Sequence, residues 1–511
     1  MTGGPATRNR AEALAQLAAE HLDVLVIGGG VVGAGVAWPL ARAGLRVAVV
    51  DARDLAGATS STSSKLIHGG LRYLAMRDVR LVREAHVERR ANATVVAPHL
   101  VRSLPFLVPL TAETAYRPAA LLAGTALYGA LSGFRDGRPR RLGIADACAL
   151  APALAADRVR GAVLYHDHLT LDARLTLAVL DGAADAGALV LNHVEIVGLQ
   201  TLGGRVTGAD AVDRMSGASL GVRARVVVNA SGPWIDRVRR LERAGAGTTV
   251  QLSRGTHLVL SADDGWKSAI TALLGDGRVA FAIPFQDGLL LGTTDHPYEG
   301  DPADVAPDPV DEHQILAEAA LSLTGAAIDP SRIRQRFAGL RVLPVAAGPT
   351  SDAPREVVLT TGPGGMVSIA GGKLTTWRRI GLQAAGLAAA GLGRPRPDHR
   401  PVPLPSAVEP ETAGAALRER FPLVDPAVVA HLVHGHGAAA GLILSRAAAD
   451  PTLLAPLSGR APDIAAQVRH ARDREWAVTV DDVVRRTGLA PRGADDEAAR
   501  LRIETLLRRK S

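Results

Sequence analysis

Val24-Leu25-Val26-Ile27 is an uninterrupted apolar run, followed by Gly28-Gly29-Gly30-Val31-Val32-Gly33, a helical stretch, and Leu45-Arg46-Val47-Ala48-Val49-Val50-Asp51. Short β-branched runs of this kind read as buried strands, so the segment reads strand, turn, helix, strand. Pro39 falls inside the helical stretch and is expected to kink it or displace its second half, because proline lacks an N–H and crowds the carbonyl four residues back. Val24 to Ala41 carries no charged residue and is about as long as a bilayer span. Gly28, Gly29, Gly30, Gly33, Gly35 and Pro39 interrupt it, which favours the strand–turn–helix reading.

Short β-branched runs recur at Gly187 to Leu199, Gly204 to Val212, Val222 to Asn229, His257 to Leu260, and Val279 to Thr294 around Asp287-Gly288. Separated by turn residues, they predict antiparallel sheet layers. Ala119 to Phe134 is apolar, too short for a span, and is expected to be a buried helix. Residues 393 to 405 read GRPRPDHRPVPLP, a connector that cannot continue a helix and marks a boundary. Helical periodicity then covers Asp425 to His434, Ala438 to Ala449, Ile464 to Trp476, Thr479 to Arg486 with Asp482 completing a capping-box start, and Ala494 to Lys510. A short helix is also expected near the N-terminus, where Arg8, Arg10, Glu12 and Glu20 are dispersed through an Ala/Leu stretch without the layout of an export signal.

The glycines spell G-x-G-x-x-G between strand and helix. There a pyrophosphate finds close backbone approach at Gly28, Gly30 and Gly33 and the positive end of the helix, while Asp51 is placed for a ribose hydroxyl pair. With 47% hydrophobic and 21% charged residues, the 511-residue chain is globular and large enough for about three domains. Lys and Arg number 58 against 51 Asp and Glu, a net +7, which directs attention to anionic partners. Aromatic residues are 3% of the chain, too few for the stacking platforms of a nucleic-acid binder, so no nucleic acid is expected. Cys148 is the only cysteine. It excludes an internal disulfide or thiolate cluster and fits a reducing, cytoplasmic compartment. His166 and His168, and His434 and His436 if extended, share faces without further ligands at a suitable spacing, so no metal site is expected.

Residues 57 to 74, GATSSTSSKLIHGGLRYL, form a polar loop suited to phosphate or flavin oxygens. With VAFAIPFQDGLLLGTTD at 279 to 295, AGLRVLP at 338 to 344 and AGGKLTTWR at 370 to 378, the chain resembles the FAD-dependent, quinone-linked glycerol-3-phosphate dehydrogenases. The likeness extends to YHDHLTLDARL at 165 to 175, VVVNASGPW at 226 to 234, SRGTHLVL at 253 to 260 and WAVTVDDVVRRT at 476 to 487. The SSKLIHGGLRYL and GGKLTTWR segments are its narrowest signatures, and the tail motif separates it from simple amino-acid oxidases. Asp51 stands where the family often has Glu, Trp377 where Tyr is frequent, and HGHG at 434 to 437 departs from the family's tail.

The resemblance implies an α/β fold. Its parts are a Rossmann-like FAD-binding domain (20–98, 160–248 and 338–395), an antiparallel-sheet substrate domain of the amino-acid-oxidase type (99–159 and 249–337) and a helical C-terminal domain (402–511). It implies oxidation of sn-glycerol 3-phosphate to dihydroxyacetone phosphate, with a hydride passing from carbon 2 to flavin N5 and electrons going on to a membrane quinone. The phosphate dianion calls for cations, favouring Arg, and the matched segments offer Arg72, Arg341, Arg355 and Lys373 with Tyr73 as a hydroxyl donor. His257 is the candidate base, and Arg341 and Lys373 join it as catalytic candidates. The flavin cradle would draw on Gly28, Gly30, Gly33, Asp51, Thr59, Ser60, Ser63, Ser64, Lys65, His68, Gly232, Trp234, Gly372, Leu374 and Thr375. Implied partners are glycerol 3-phosphate, the quinone and an anionic membrane surface on the inner face of the cell membrane, with residues 119–134 and Arg117, Arg135 and Arg138 as the candidate contact. A homodimer is compatible with the sequence. The runner-up readings are a flavin oxidase acting on another small hydroxy acid or amine, or one using oxygen; a non-catalytic flavin-binding scaffold is the alternative outside enzymes.

Overall fold

The strand His21–Ile27 is buried along nearly its whole length rather than alternating, because helices cover one face and a second layer the other. A computed structural model describes residues 8–71, 78–112, 117–345 and 357–509. In it, Val367–Ala370, Ser219–Asn229, His21–Ile27, Val47–Val50 and Leu189–Leu191 lie side by side as a parallel sheet, with Val358–Thr361 antiparallel at one edge. Antiparallel layers were expected for the whole stretch 187–229. Only Val194–Leu202, Arg205–Asp213 and the first half of Ser219–Asn229 pair that way. The remainder joins the parallel sheet because both of its faces are buried.

The helix Val31–Arg42 packs between Asp172–Asp185 and Trp377–Gly391. It runs through Pro39 to Arg42, so the proline does not end the helix. Pro39 removes the donor for the Gly35 carbonyl, and that carbonyl lies at the crossing with Trp377–Gly391, where a Cβ on Gly381 would collide with it. Two glycines at the crossing let the helix backbones approach closely.

The second sheet contains Leu66–Ile67, Gly161–Thr170, Val101–Pro109, Ala269–Leu273, Val279–Phe285, Gly288–Gly292, Val250–Ser261 and Ile333–Pro344. Its pairings are antiparallel apart from Val101–Pro109 against Ala269–Leu273. Gly161–Thr170 and Leu66–Ile67 therefore lie in this second sheet, although the sequence groups them with the segments of the first. The hairpin near Asp287 turns on Gln286 and Asp287, both with positive φ (51° and 62°), one residue before the expected pair.

The helix Pro118–Leu131 is not buried as expected: only Leu121, Thr125 and Tyr128 face the core, and Ala119, Ala120, Ala123, Leu127 and Ala130 are exposed. The C-terminal region is helical, and Thr479 and Asp482 form the expected capping box. His434 and His436 lie in the helix Pro426–His436 rather than on a strand. The helix Pro410–Arg420 was not foreseen, since its sequence carries few apolar residues to mark a face.

Burial and neighbouring arginines depress several histidines: His86 to about 4, His99 to about 3, His168 to about 4 and His436 to about 3. Below pH 6.5 the unfolded chain takes up protons that the folded chain refuses, so their contribution is complete above 6.5 and is lost as pH falls through the folded values, about 4 for His86 and His168 and about 3 for His99 and His436. Asp51, pushed up to about 6, acts in the opposite sense, one group against four. Four such histidines give a slope of roughly 5 kcal/mol per pH unit near pH 5. Urea midpoints at pH 7.5, 6 and 5 should therefore fall steeply; equal midpoints would contradict this account.

Candidate active site

The turn after His21–Ile27 begins with Gly28 at φ 112°, where a Cβ would lie 2.5 Å from the Ala230 carbonyl oxygen. Only glycine lets the chain turn here against the end of Ser219–Asn229. A Cβ on Gly33 would collide with the Gly28 carbonyl, so Gly33 serves helix–strand packing and does not line the cavity. Gly30 caps Val31–Arg42, whose first amide donates to Ser60 Oγ at 2.9 Å. Asp51 closes Val47–Val50 and accepts the Gly29 and Arg53 amides at 2.7 and 2.9 Å. Each carboxylate oxygen keeps a lone pair for a ribose hydroxyl. Gly232 and Trp234 border the same end, with the Arg53 guanidinium 5.8 Å from the Trp234 ring centre.

The polar loop crosses from this cradle to the second sheet. Thr59 Oγ1 donates to the Leu340 carbonyl at 2.7 Å. Ser63 and Lys65 converge on Asp172: Ser63 Oγ donates at 2.7 Å, and Lys65 Nζ lies 2.8 and 2.9 Å from the two carboxylate oxygens. Lys65, expected at the flavin, is instead buried beneath the loop, 5.2 Å from the Phe337 ring centre. His68 stays at the cavity and is tied through its backbone to Thr375, whose hydroxyl accepts the His68 amide at 3.0 Å and donates to its carbonyl at 3.1 Å. Gly372, Lys373 and Leu374 continue this wall into the short turn Leu374–Thr376 that opens Trp377–Gly391. Helix starts of this kind present positive potential to an anion.

At the far end, Val250–Ser261 and Ile333–Pro344 pair antiparallel with Ser253 opposite Arg341, Gly255 opposite Gly339, and His257 opposite Phe337. Residues two apart share a face, so this face turns His257 and Arg341 toward the cavity. The Arg341 guanidinium leans over Gly255, where a Cβ would lie 2.8 Å from both terminal nitrogens. It donates to Thr293 Oγ1 at 3.0 Å and is 3.4 Å from Asp295, which also takes the Ser253 hydroxyl. His257 stacks on Phe337 with ring centres 5.0 Å apart, and its Nε2 is 2.9 Å from Ser64 Oγ. Burial first, then Arg341 and Lys65, depress its pKa well below the usual range. His257 is therefore a neutral imidazole at physiological pH.

One cavity of about 1400 Å³ is lined by Gly28, Gly30, Asp51, Thr59, Ser60, Ser63, Ser64, His68, Gly232, Trp234, His257, Arg341, Gly372, Lys373, Leu374 and Thr375. Its volume exceeds the roughly 300–1,000 Å³ of common ligand pockets. The glycine cradle, the Asp51 oxygens and two helix starts along one wall fit a dinucleotide with a further small anion beyond it. Arg72, Tyr73 and Arg355 lie outside the described residues. Sequence reading missed Asp172 and Asp167, both within the YHDHLTLDARL segment. Asp167 accepts from Arg89 Nη1 at 2.7 Å, Tyr128 Oη at 2.6 Å and the Gly69 amide at 3.3 Å. In the sequence, the signal for such a network is the acid flanked by His166 and His168.

Residues 23–378 match the family described as FAD dependent oxidoreductase, and residues 401–503 that described as the C-terminal domain of alpha-glycerophosphate oxidase. The chain is 36% identical over 503 residues to glycerol-3-phosphate dehydrogenase 2 of Mycobacterium tuberculosis, covering 94% of this chain and 83% of that one. It is 34% identical over 521 residues to glycerol-3-phosphate dehydrogenase 1 of the same organism, covering 95% of each. The FAD complex of glycerol-3-phosphate dehydrogenase from Bacillus halodurans superposes with a TM-score of 0.77 at 27% identity, over 95% of this chain and 89% of that one. The L-alpha-glycerophosphate oxidase of Mycoplasma pneumoniae, 17% identical with a TM-score of 0.57 over 76% of this chain and 99% of that one, shares the fold.

Proposed function

The chain belongs to the FAD-dependent glycerol-3-phosphate dehydrogenase family, and from that premise we propose that it oxidises sn-glycerol 3-phosphate to dihydroxyacetone phosphate. FAD is the cofactor, and when bound it supplies the acceptor that takes the hydride from carbon 2 at N5. The observation that carries this reading is the convergence of a neutral histidine and a guanidinium at the inner end of the dinucleotide cavity.

Arg341 and Lys373 bind the phosphate dianion and turn carbon 2 inward. A charged donor held in a site of low dielectric also stabilises the alkoxide that forms as the hydroxyl proton leaves. His257 accepts that proton at Nε2 through the Ser64 hydroxyl, which receives the substrate proton as it donates its own. The depressed pKa leaves the imidazole unprotonated and free to accept, as a weaker base than a solvent-exposed imidazole. Asp51 and the Gly28–Gly33 turn hold the adenosine half of the cofactor, and Thr375 with the His68 backbone fixes the wall near its ring system. The test is anaerobic: FAD-loaded protein is mixed with glycerol 3-phosphate, with glycerol and a D-amino acid as controls. Bleaching of the flavin absorbance by glycerol 3-phosphate alone is expected, and bound flavin that stays oxidised would sink the assignment.

The electrons pass to a membrane quinone, and the chain docks on the inner face of the cell membrane. No helix among the described residues is long and apolar enough to cross a membrane. The support for docking is the helix Pro118–Leu131, whose exposed Ala119, Ala123, Leu127 and Ala130 lie beside exposed Arg117, Arg135, Arg138, Arg140 and Arg141. Each basic residue near an anionic surface adds about 1 kcal/mol. Leu127 borders the cavity and Leu121 is in the core, whereas Ala123 and Ala130 are exposed and do not line the cavity, so Ala123→Asp with Ala130→Asp probes the surface without opening the interior. Sedimentation with anionic vesicles should be lost in the double variant; equal pelleting would remove the docking surface.

A further inference from the structure

The tail motif WAVTVDDVVRRT lies outside the cavity, yet it grips the loop that walls the cavity's adenosine end. Asp51, Ala52, Arg53, Ala56 and Gly57 line that end, whereas Asp54 points away, 3% exposed, toward the helix Val480–Arg486. Its carboxylate is saturated. Arg486 donates to the two oxygens from Nη1 and Nη2 at 2.7 and 2.8 Å, Arg485 Nη1 adds 2.9 Å, and Asn192 Nδ2 adds 3.0 Å. Arg486 is itself 1% exposed and is fixed by the Glu475 carbonyl at 2.8 Å. A second hold acts on the same loop: the His193 amide donates to the Arg53 carbonyl at 2.9 Å, and the His193 ring lies 3.1 Å from Asp482.

The loop has two faces with two duties. Arg53 gives its amide to Asp51, and Ala56 gives its amide to the Gly29 carbonyl at 3.0 Å, so any movement of Asp54 is passed to the ribose-binding carboxylate and to the glycine turn. A binding loop held in its bound shape before the ligand arrives loses less entropy on binding and binds more tightly. A bidentate arginine–carboxylate pair gives that hold a direction as well as strength.

We propose that Arg486, assisted by Arg485, is a positioning residue for the cofactor: the helical C-terminal domain sets the affinity for FAD by clamping Asp54 behind the adenosine site. This rests on the assignment of FAD to the cavity and reaches beyond it, to how the tail controls retention of the cofactor.

The test titrates FAD into apoprotein of the wild type, Arg486→Met, Arg486→Lys and Arg485→Met, following flavin fluorescence quenching, with ADP-ribose as a competitor for the adenosine half. Arg486→Met should raise the Kd for FAD and for ADP-ribose roughly tenfold or more, and Arg485→Met about threefold, because less of the loop's shape is preset. Arg486→Lys keeps the charge but not the fork and should fall between wild type and Arg486→Met. At saturating FAD the visible spectrum and kcat should match the wild type, which separates positioning from damage to the catalytic end. A lower melting temperature of the apoprotein with Kd within twofold of wild type would overturn the proposal, reducing the cluster to a structural brace. If Arg486→Met is insoluble, the other two variants decide by the same criterion. Wild-type protein that binds FAD but is not bleached by glycerol 3-phosphate would remove the substrate assignment and leave this inference standing.

Discussion

Arg341→Ala lowers kcat/KM for glycerol 3-phosphate by about 10²- to 10³-fold, the effect of deleting one preorganised charged donor from an enclosed site, worth ~3–4 kcal/mol. The loss divides between substrate binding, where the phosphate loses a fork of donors, and the chemical step, where the alkoxide loses its positive neighbour. Arg341→Lys recovers only part of it, because a single ammonium cannot reach Thr293 and Asp295 and still face the substrate. Gly255 belongs to the same unit, since the guanidinium occupies the space a Cβ would take. Rapid-mixing measurement of flavin reduction separates the two contributions, and a kcat/KM within threefold of wild type would remove Arg341 from the site.

Asp172→Ala destabilises the fold by about 3–5 kcal/mol, the cost of stranding a buried cation without its partner. Lys65 Nζ keeps the Ser61 carbonyl, a neutral acceptor, and the Ser63 hydroxyl and amide both lose theirs. The loop carrying Ser60, Ser63 and Ser64 then loosens, and cofactor occupancy should fall with stability. Replacing both partners, as Lys65→Met with Asp172→Leu, should recover much of the stability, since an apolar pair of similar volume strands no charge. Urea midpoints of the single and double variants test this; equal midpoints would show that the pair is not the source of the loss.

The strand–glycine turn–helix unit and Asp51 were readable from sequence because their determinants lie within about one supersecondary unit. His257 and Arg341 were readable only through family motifs. Nothing local to SRGTHLVL or AGLRVLP says that the two strands pair with Ser253 opposite Arg341, the register that brings both side chains to one cavity. Lys65 misled because its partner Asp172 is 107 residues away, and a lysine in a phosphate-suited loop reads as a ligand residue until a buried carboxylate appears beneath it. Pro39 lies within one helix because the crossing that holds it, Gly35 against Gly381, joins segments far apart in sequence, and tertiary packing overrides propensity where such contacts are dense.

The order of strands in the parallel sheet has a consequence during synthesis. His21–Ile27 leaves the ribosome early, but its neighbour Ser219–Asn229 and that strand's partner Val367–Ala370 follow much later. From residue 27 to residue 370 the separation is 370 − 27 = 343 residues, a delay of about 17–70 s at ~5–20 residues per second. The nascent glycine turn must wait through that interval for the wall at Gly372 to Thr375. Cofactor loading therefore waits until the chain has passed residue 375, and a polypeptide stalled before residue 370 has no completed cradle with which to capture it.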